Sequence, residues 1–582
     1  MFMSMPISIP ARPRRRAAAI AAPFVLIAAA NAFAQAPPAP ADLILTDAVV
    51  HTVDVNRPTA EAVAIRGDRI VFVGSERGAL TYRGRDTRVI DLAGRAVYPG
   101  FIDSHGHLAG LGNSLRVLDL VGTRSLDEII DMVEERAASV PAGTWIQGRG
   151  WDQNDWSDTR FPHHRALSEA VPDHPVVLGR VDGHALLANA KAMEIAGITN
   201  ETPDPEGGRI VRDPETGEAT GVFVDAAESL IYSHVPAPNK EERRQATLAA
   251  VNELLSWGVT SIHDAGVGLG TIELYKEMAE NGEFRLRNYI MMSSSQGTLD
   301  HYFERGPEVG LYEDHITVRS IKMVADGALG SRGAALLEPY SDEPDHRGLV
   351  TENPERIEAV AAEALERGFQ VNVHAIGDRG NRIVLDAFEE ALAQVPVADH
   401  RFRVEHAQVI HWQDIPRFAE LDVLPSMQQT HQMSDMYWAI DRLGWTRSRG
   451  AYAWRSLLET GVVIPAGTDF PVESVNPFRT FLASITRSDE EGWPAGGWFP
   501  EQKMTREEAL KSMTIWGAYA AFEEDLKGSL TEGKLADLVV LSQDIMAIAP
   551  ERILDTRVEM TVLGGEIVYT GPGAEALTKA VR

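Results

Sequence analysis

The 582-residue chain contains no cysteine. That absence excludes disulfides, a zinc–thiolate site and a thiol nucleophile, so any metal must be held by nitrogen and oxygen. Positive charge is also scarce. Lysine and arginine number 55 against 84 aspartates and glutamates, a formal net charge of −29. So acidic a chain argues against nucleic acid as a partner, because phosphate binding rewards a basic face, and it disfavours anionic membrane surfaces. Long apolar runs are missing near the N-terminus: the stretch 17–30 is shorter than the roughly 20 residues of a membrane-spanning helix. It follows Arg12, Arg14, Arg15 and Arg16 and precedes Ala32-Phe33-Ala34. This is the charged start, short apolar core and small-x-small cleavage pattern of a secretory signal. With no cysteine after the apolar core, a bacterial lipoprotein is excluded. Residues 1–36 are expected to be a signal peptide, and the mature protein is expected to be periplasmic or secreted, with no stable membrane anchor.

What is present reads as an ordinary globular protein. An apolar fraction of 44% with 24% charged residues excludes a disordered or collagen-like chain, and the length implies more than one domain. Near the start, Leu43-Ile44-Leu45, Ala62-Val63-Ala64-Ile65 and residues 69–74 read as short strands separated by turns such as Arg66-Gly67-Asp68. The C-terminus has the same texture, with residues 537–541 and a hairpin over 559–569 turning at Gly564-Gly565. Between these ends, strands alternate with helices, the pattern of a parallel sheet. Eight strands are expected at 97–102, 259–263, 286–292, 317–323, 369–374, 401–406, 422–427 and 462–468. Pro354 after Asn353 opens one helix that Gly368 closes, and Thr505 with Glu508 forms a capping box for another. Eight β/α units suggest a closed barrel with its site at the C-terminal strand ends. The rival, an open doubly wound sheet, would show a glycine-rich phosphate turn after its first strand, and this chain has none. About 150 residues separate the first two strands, where a connection normally needs only a short loop and a helix, so an inserted subdomain is expected. Its segments 148–156 and 180–184, dense in aromatic and polar residues, suit a lid or substrate pocket and suit equally the insert's own core and turns.

The strongest chemical signal is Asp103-Ser104-His105-Gly106-His107, which follows the apolar Phe101-Ile102. At strand period two the histidines share a side, neutral imidazoles are common zinc ligands, and Gly106 leaves the backbone free to bend toward an ion. Other strand ends carry the same kinds of group. His374 ends the fifth strand, Glu405-His406 the sixth and Gly467-Thr468-Asp469 the eighth, with Lys322 near the end of the fourth. Each alone reads equally as a satisfied histidine, a buried ion pair or a turn carboxylate. Gathered at one end of one barrel, they read as a metal centre.

These segments, together with 322–332, 371–378 and Gly533-Lys534-Leu535-Ala536-Asp537, resemble the metal-dependent amidohydrolase superfamily. Within it they resemble the YtcJ-like (amidohydrolase 3) branch, which includes N-substituted formamide deformylases. The resemblance implies an α/β fold: a (β/α)8 TIM barrel, a small β-sandwich built from both chain ends, and a subdomain inserted after barrel strand one. The corresponding boundaries are 1–36 for the signal peptide, 41–98 and 527–582 for the β-sandwich, 99–110 for barrel strand one, 111–255 for the insert and 256–526 for the remaining barrel. It implies His105, His107, His374, His406 and Asp469 as metal ligands, with Lys322 converted by CO2 to a carbamate that bridges two divalent ions. The expected load is two zinc ions per chain, one on His105, His107 and Asp469 and the other on His374 and His406. Metal-bound hydroxide would then attack the substrate while Asp469 passes its proton to the leaving amine. His184 is a further catalytic candidate, and Trp151, Asp182 and Arg332 are candidate substrate contacts, with Asp152 and residues 428–437 beside them. The implied activity is hydrolysis of an amide or N-formyl C–N bond in a small molecule. The same ligands would serve a cyclic amide, ester or lactone, and an exported binding or regulatory protein would keep the barrel without turnover. A homodimer is compatible with all three.

N-terminal sequencing of the protein recovered from the native cell envelope is expected to start at Gln35 or Pro37. An intact Met1 there would reject export.

Overall fold

The computed structural model describes residues 38–573, apart from 182, 184, 206 and 207. The expected signal peptide, Asp182 and His184 lie outside the described residues.

Eight parallel strands lie in sequence order in one sheet: Phe101–Gly106, Val259–Val267, Arg287–Ser293, Ile316–Val324, Gln370–Ala375, Arg403–His406, Leu424–Gln428 and Ala466–Gly467. The last strand returns to the first. Asp469 N donates to His105 O at 2.7 Å and His107 N donates to Phe470 O at 2.9 Å. The approach needs glycine, since a Cβ on Gly467 would lie 2.6 Å from His105 N. The eighth strand pairs over two residues only, where seven were expected, because Pro465 has no N–H to extend its ladder. The helix Pro354–Arg367 is capped by the Asn353 side chain and stops at Gly368, whose φ of 80° suits glycine. Arg506–Ser512 opens with the Thr505–Glu508 capping box.

The apolar run 97–102 divides between two sheets. Arg88–Pro99 pairs antiparallel with Leu538–Leu541 in the β domain, and the barrel strand begins after Gly100. A Cβ on Gly100 would meet Thr260 Oγ1 at 2.2 Å, so the crossover is packed tightly against the second barrel strand. The β domain is one eight-stranded sheet, the C-terminal strands Leu538–Leu541, Val558–Leu563 and Glu566–Thr570 continuing outward from Arg88–Pro99. It curls so that Ile70 N reaches Lys534 O at 2.9 Å and Gly533 N reaches Ile70 O at 2.8 Å. The expected sandwich is thus a single curled sheet, enclosing Leu45, Ile65, Ile90, Val97, Leu538 and Met560.

The insert carries its own six-stranded sheet, running in sequence from Leu118–Asp119 to Ala219–Asp225. The chain rejoins the barrel through helix Lys240–Ser256, whose Ala250 and Leu254 belong to the barrel core. Gly112 of helix Leu108–Ser114 lets the two helices touch: a Cβ there would lie 2.4 Å from Ala246 O. Arg149 of the insert donates to Pro471 O at 3.1 Å, which fastens the insert to the loop after the eighth strand.

Arg287 of the third barrel strand and Asp537 of the β domain form a bidentate pair, Nε to Oδ2 at 2.6 Å and Nη2 to Oδ1 at 3.0 Å, with side chains 2% and 4% exposed. Burial pushes the Asp537 carboxyl up, but Arg287 outweighs it and holds the group below its ordinary range. A depressed pKa contributes stability above the unfolded-state value near 4, and that contribution is lost as pH falls through the folded value. Asp537→Ala leaves a buried guanidinium unpaired and is expected to cost about 3–5 kcal/mol. Urea denaturation at pH 7 checks this, and the gap between variant and parent should narrow in acid.

Candidate metal centre

His105 ends the first barrel strand and is fully buried. Its Nδ1–H donates to Glu405, itself buried in the sixth strand and ion-paired to Arg403 Nε at 2.7 Å. His107 caps the following helix and donates Nδ1–H to Ala265 O at 3.0 Å. His406 directs Nδ1 to Gln428 Oε1 at 2.7 Å. Nδ1 donates in each of these bonds, which leaves Nε2 with a free lone pair, the tautomer in which a histidine can ligate a metal. His105 Nε2 and His107 Nε2 stand 3.6 and 3.0 Å from Asp469 Oδ1.

A Cβ on Gly106 would lie 2.4 Å from the Phe470 ring, so glycine also admits that ring against the strand end. Asp469 and His406 have φ of 61° and 71°, a left-handed backbone that is costly away from glycine and that collects at functional sites.

Lys322 is buried near the end of the fourth strand, its Nζ 3.1 Å from His105 Nε2. His374 ends the fifth strand with its ring centroid 4.4 Å from that of His406. Its Nε2 is turned to Asp326 Oδ1 at 3.5 Å, which leaves Nδ1 for a metal. Asp326 is the hub of the loops around it, accepting from Ala335 N, Ile376 N and Gly377 N at 2.8–2.9 Å.

Electrostatics prepare the cluster for a cation. Burial, reinforced by Lys322, lowers His105 to about 4 and His374 to about 3, and burial also lowers Lys322 itself. Burial pushes Asp469 up, but its hydrogen bond with His107 and the neighbouring imidazoles hold it well below the usual carboxylate range. Glu405 is held at about 2 because Arg403 and His105 outweigh its burial. At neutral pH His105, His374 and His406 are uncharged nitrogen donors beside an anionic carboxylate, whereas burial would lower His107 but the Asp469 carboxylate outweighs it and raises that group. The donor atoms of His105, His107 and Asp469 all lie within 4.8 Å of one another, and the buried Nε2 of His431 makes no hydrogen bond. Neutral nitrogen with anionic oxygen suits zinc or a similar divalent ion, so the residues present fit a metal.

Other expected residues have partners of their own. Trp151 is a correction: it is fully buried in the insert's own core beside Trp156, with Nε1–H given to Leu178 O at 2.7 Å, and no substrate can reach it. Arg332 is ion-paired to Asp342 at 2.8 Å and to Glu343 at 3.4 Å. Asp152 pairs with Arg180 at 2.6 Å. In the stretch 428–437, Met433 and Met436 are buried in the barrel core, while Tyr437 stacks on Trp493 at 4.9 Å. Sequence reasoning missed the roles of Glu405 and His431. Glu405 was signalled by Arg403-Val404-Glu405, opposite charges on one face of a core strand. His431 had no local signal. A separate trio, His163, His164 and Glu218, lies in the insert, where Arg165 already pairs with Glu218.

The sequence pattern of the amidohydrolase family matches residues 88–569. The chain belongs to the amidohydrolase family. It is 32% identical over 526 residues to YtcJ of Bacillus subtilis, covering 89% of this chain and 98% of that one. It is 27% identical over 551 residues to the N-substituted formamide deformylase of Arthrobacter pascens, covering 92% and 99%. The crystal structure of an uncharacterized metal-dependent hydrolase from Pyrococcus furiosus superposes with a TM-score of 0.72 at 28% identity, over 87% of this chain and 99% of that one. The alignments cover nearly the full length of each chain, so the family likeness is one of whole chains.

Glu405→Gln keeps the shape of the His105 contact but removes the anion. It is expected to weaken zinc binding about 10–100-fold, the usual effect of losing a ligand's hydrogen-bond partner. Titration of the stripped protein against a competing chelator measures it.

Proposed function

We propose that this metal-dependent hydrolase of the amidohydrolase family is exported and cleaves an amide or N-formyl C–N bond in a small molecule. The observation that carries the reading is the convergence of His105 Nε2 and His107 Nε2 on one oxygen of Asp469, with each Nδ1 tied back by a hydrogen bond. Similarity to the Arthrobacter pascens deformylase supports the N-formyl part. Two zinc ions per chain would be held here, one by His105, His107 and Asp469 and the other by His374 and His406. A divalent ion bound here polarises the scissile carbonyl and acidifies water.

The protein's own residues supply the rest. Asp469 is an anion at neutral pH, and its Oδ1 lies 3.0 Å from His107 Nε2. It takes the proton released from attacking water and returns it to the amide nitrogen, a poor leaving group unless protonated. Burial lowers the basicity of Lys322, which favours the neutral amine that reacts with CO2. Its neutral amine forms the new N–C bond and releases one proton, and the resulting carbamate presents two anionic oxygens where an ammonium would repel a cation. Glu405 and Gln428 orient His105 and His406 and touch no substrate.

The zinc-loaded mature protein is expected to release amine and acid from members of a panel of N-formyl and N-acyl compounds, and to stop when chelated. No turnover across that panel and a set of cyclic amides would overturn the reading. Asp469→Asn keeps a coordinating oxygen but cannot accept a proton. It is expected to fold, to retain at least one metal and to lose about 10²–10⁴-fold in kcat. Near wild-type kcat on an unactivated amide would assign the proton to another group.

A further inference from the structure

The carboxylate of Asp469 faces two groups of imidazoles with its two oxygens. Oδ1 faces His105 and His107, whereas Oδ2 lies 3.8 Å from His431 Nε2. His431 stands on the helix Gln429–Asp435, which follows the seventh barrel strand directly. Its ring is nearly parallel to that of His406, at 7° with centroids 6.0 Å apart. The donor atoms of His406, His431 and Asp469 all lie within 4.8 Å of one another. His431 Nε2 is buried and makes no hydrogen bond among the described residues.

These distances have a common explanation. A separation of 3.8 Å is too long for a hydrogen bond. It is the separation expected of two donors on one ion, since bonds of about 2.1 Å place neighbouring donors roughly 3–4 Å apart. The 3.6 Å between His105 Nε2 and Asp469 Oδ1 falls in the same range. Two imidazoles on one zinc likewise set their ring centroids roughly 5–6 Å apart, as His105 and His107 do at 5.6 Å and His406 and His431 at 6.0 Å. His406 has its Nδ1 anchored to Gln428, so its Nε2 is free on the side of the cluster.

We propose that His431 is a ligand of the second divalent cation, held with His406 and linked to the first cation through Asp469. This rests on the metal-dependent reading above and deepens it. Asp469 then joins the two ions oxygen by oxygen whether or not Lys322 is modified. The helix after the seventh strand becomes part of the metal centre. His374, whose ring centroid lies 4.4 Å from that of His406, then shares the second ion with His406 and His431.

Cobalt substitution tests the proposal in the mature protein, stripped of metal and reloaded in bicarbonate buffer. The parent is expected to bind two cobalt ions per chain. His431→Ala is expected to bind the first normally and the second about 10²-fold more weakly, since losing a ligand should cost at least as much as losing a ligand's partner. The chain has no cysteine, so His431→Cys introduces its sole thiol. That variant is expected to show a thiolate-to-cobalt charge-transfer band in the near ultraviolet that grows only with the second equivalent. Two ions bound at parental affinity by His431→Ala, or two ions bound by His431→Cys with no such band, would overturn the proposal and leave His431 facing substrate. Circular dichroism and urea midpoints of the metal-free variants establish folding, and if the alanine variant does not fold, the cysteine variant decides. A parent that binds no cobalt rejects the metal-dependent reading itself. A parent that binds one ion, kept at equal affinity by His431→Ala, rejects the second cation alone.

Discussion

Asp103 accepts hydrogen bonds from Thr468 N at 3.1 Å and Thr468 Oγ1 at 2.7 Å across the seam between the first and last barrel strands, and from His105 N at 3.1 Å within its own strand. One buried carboxylate thereby fixes the register of two strands that are far apart in sequence. His105 is two residues beyond it and Asp469 follows Thr468 directly, so the bond from Asp469 N to His105 O is the next rung of the same seam. A slip of one residue would turn His105 to the other face of its strand, because side chains alternate. The convergence of imidazole and carboxylate is therefore a consequence of barrel closure. Gly467 belongs to the same constraint, since the strands meet only where it has no side chain.

Electrostatics inside the barrel follow from that placement. Arg403 is fully buried; its Nε is ion-paired to Glu405, and its Nη atoms donate to His263 Nδ1 at 2.9 Å, Ser104 O at 2.6 Å and Ser426 Oγ at 2.8 Å. Burying such a pair costs desolvation that its attraction barely offsets, so the pair is poor as a source of stability. Its effect is orientation. Arg403 keeps Glu405 ionised, Glu405 holds the Nδ1 proton of His105, and the Nε2 lone pair is left in the cluster. In a protein without cysteine every ligand is a nitrogen or an oxygen with two faces, so something must decide which face meets the ion. Glu405, Ala265 O and Gln428 make that decision for His105, His107 and His406.

How much of this was legible in the sequence depended on whether a feature is local. Strand ends are local: His374, Glu405-His406 and Thr468-Asp469 each follow an apolar strand, and the parallel barrel brings such ends to one side. The division at Pro99-Gly100 was not legible, because residues on both sides are extended and apolar and only the partners differ. Trp151 misled for the opposite reason. An indole among polar neighbours resembles a pocket wall, and what buries it is the packing of Leu178 and Trp156 from elsewhere in the insert. Arg403 and Glu405 were visible as an alternation, but their partners His105 and His263 come from the first and second strands. His431 reaches Asp469 from a helix after another strand, a proximity that no spacing in the chain encodes.

The insert occupies the position where such non-local effects bear most on chemistry. It leaves the barrel just after His107 and is tied by Arg149 to Pro471, two residues after Asp469. Phe470 lies between, packed against Gly106. The segments carrying the two histidines of the first strand and the carboxylate of the eighth are thus both held to the same subdomain. Substitutions in the insert that disturb Arg149 act on the backbone that presents Asp469. An enzyme arranged this way can change what it binds through the insert's outer loops while Asp103, Gly467 and Phe470 hold the reacting groups in place.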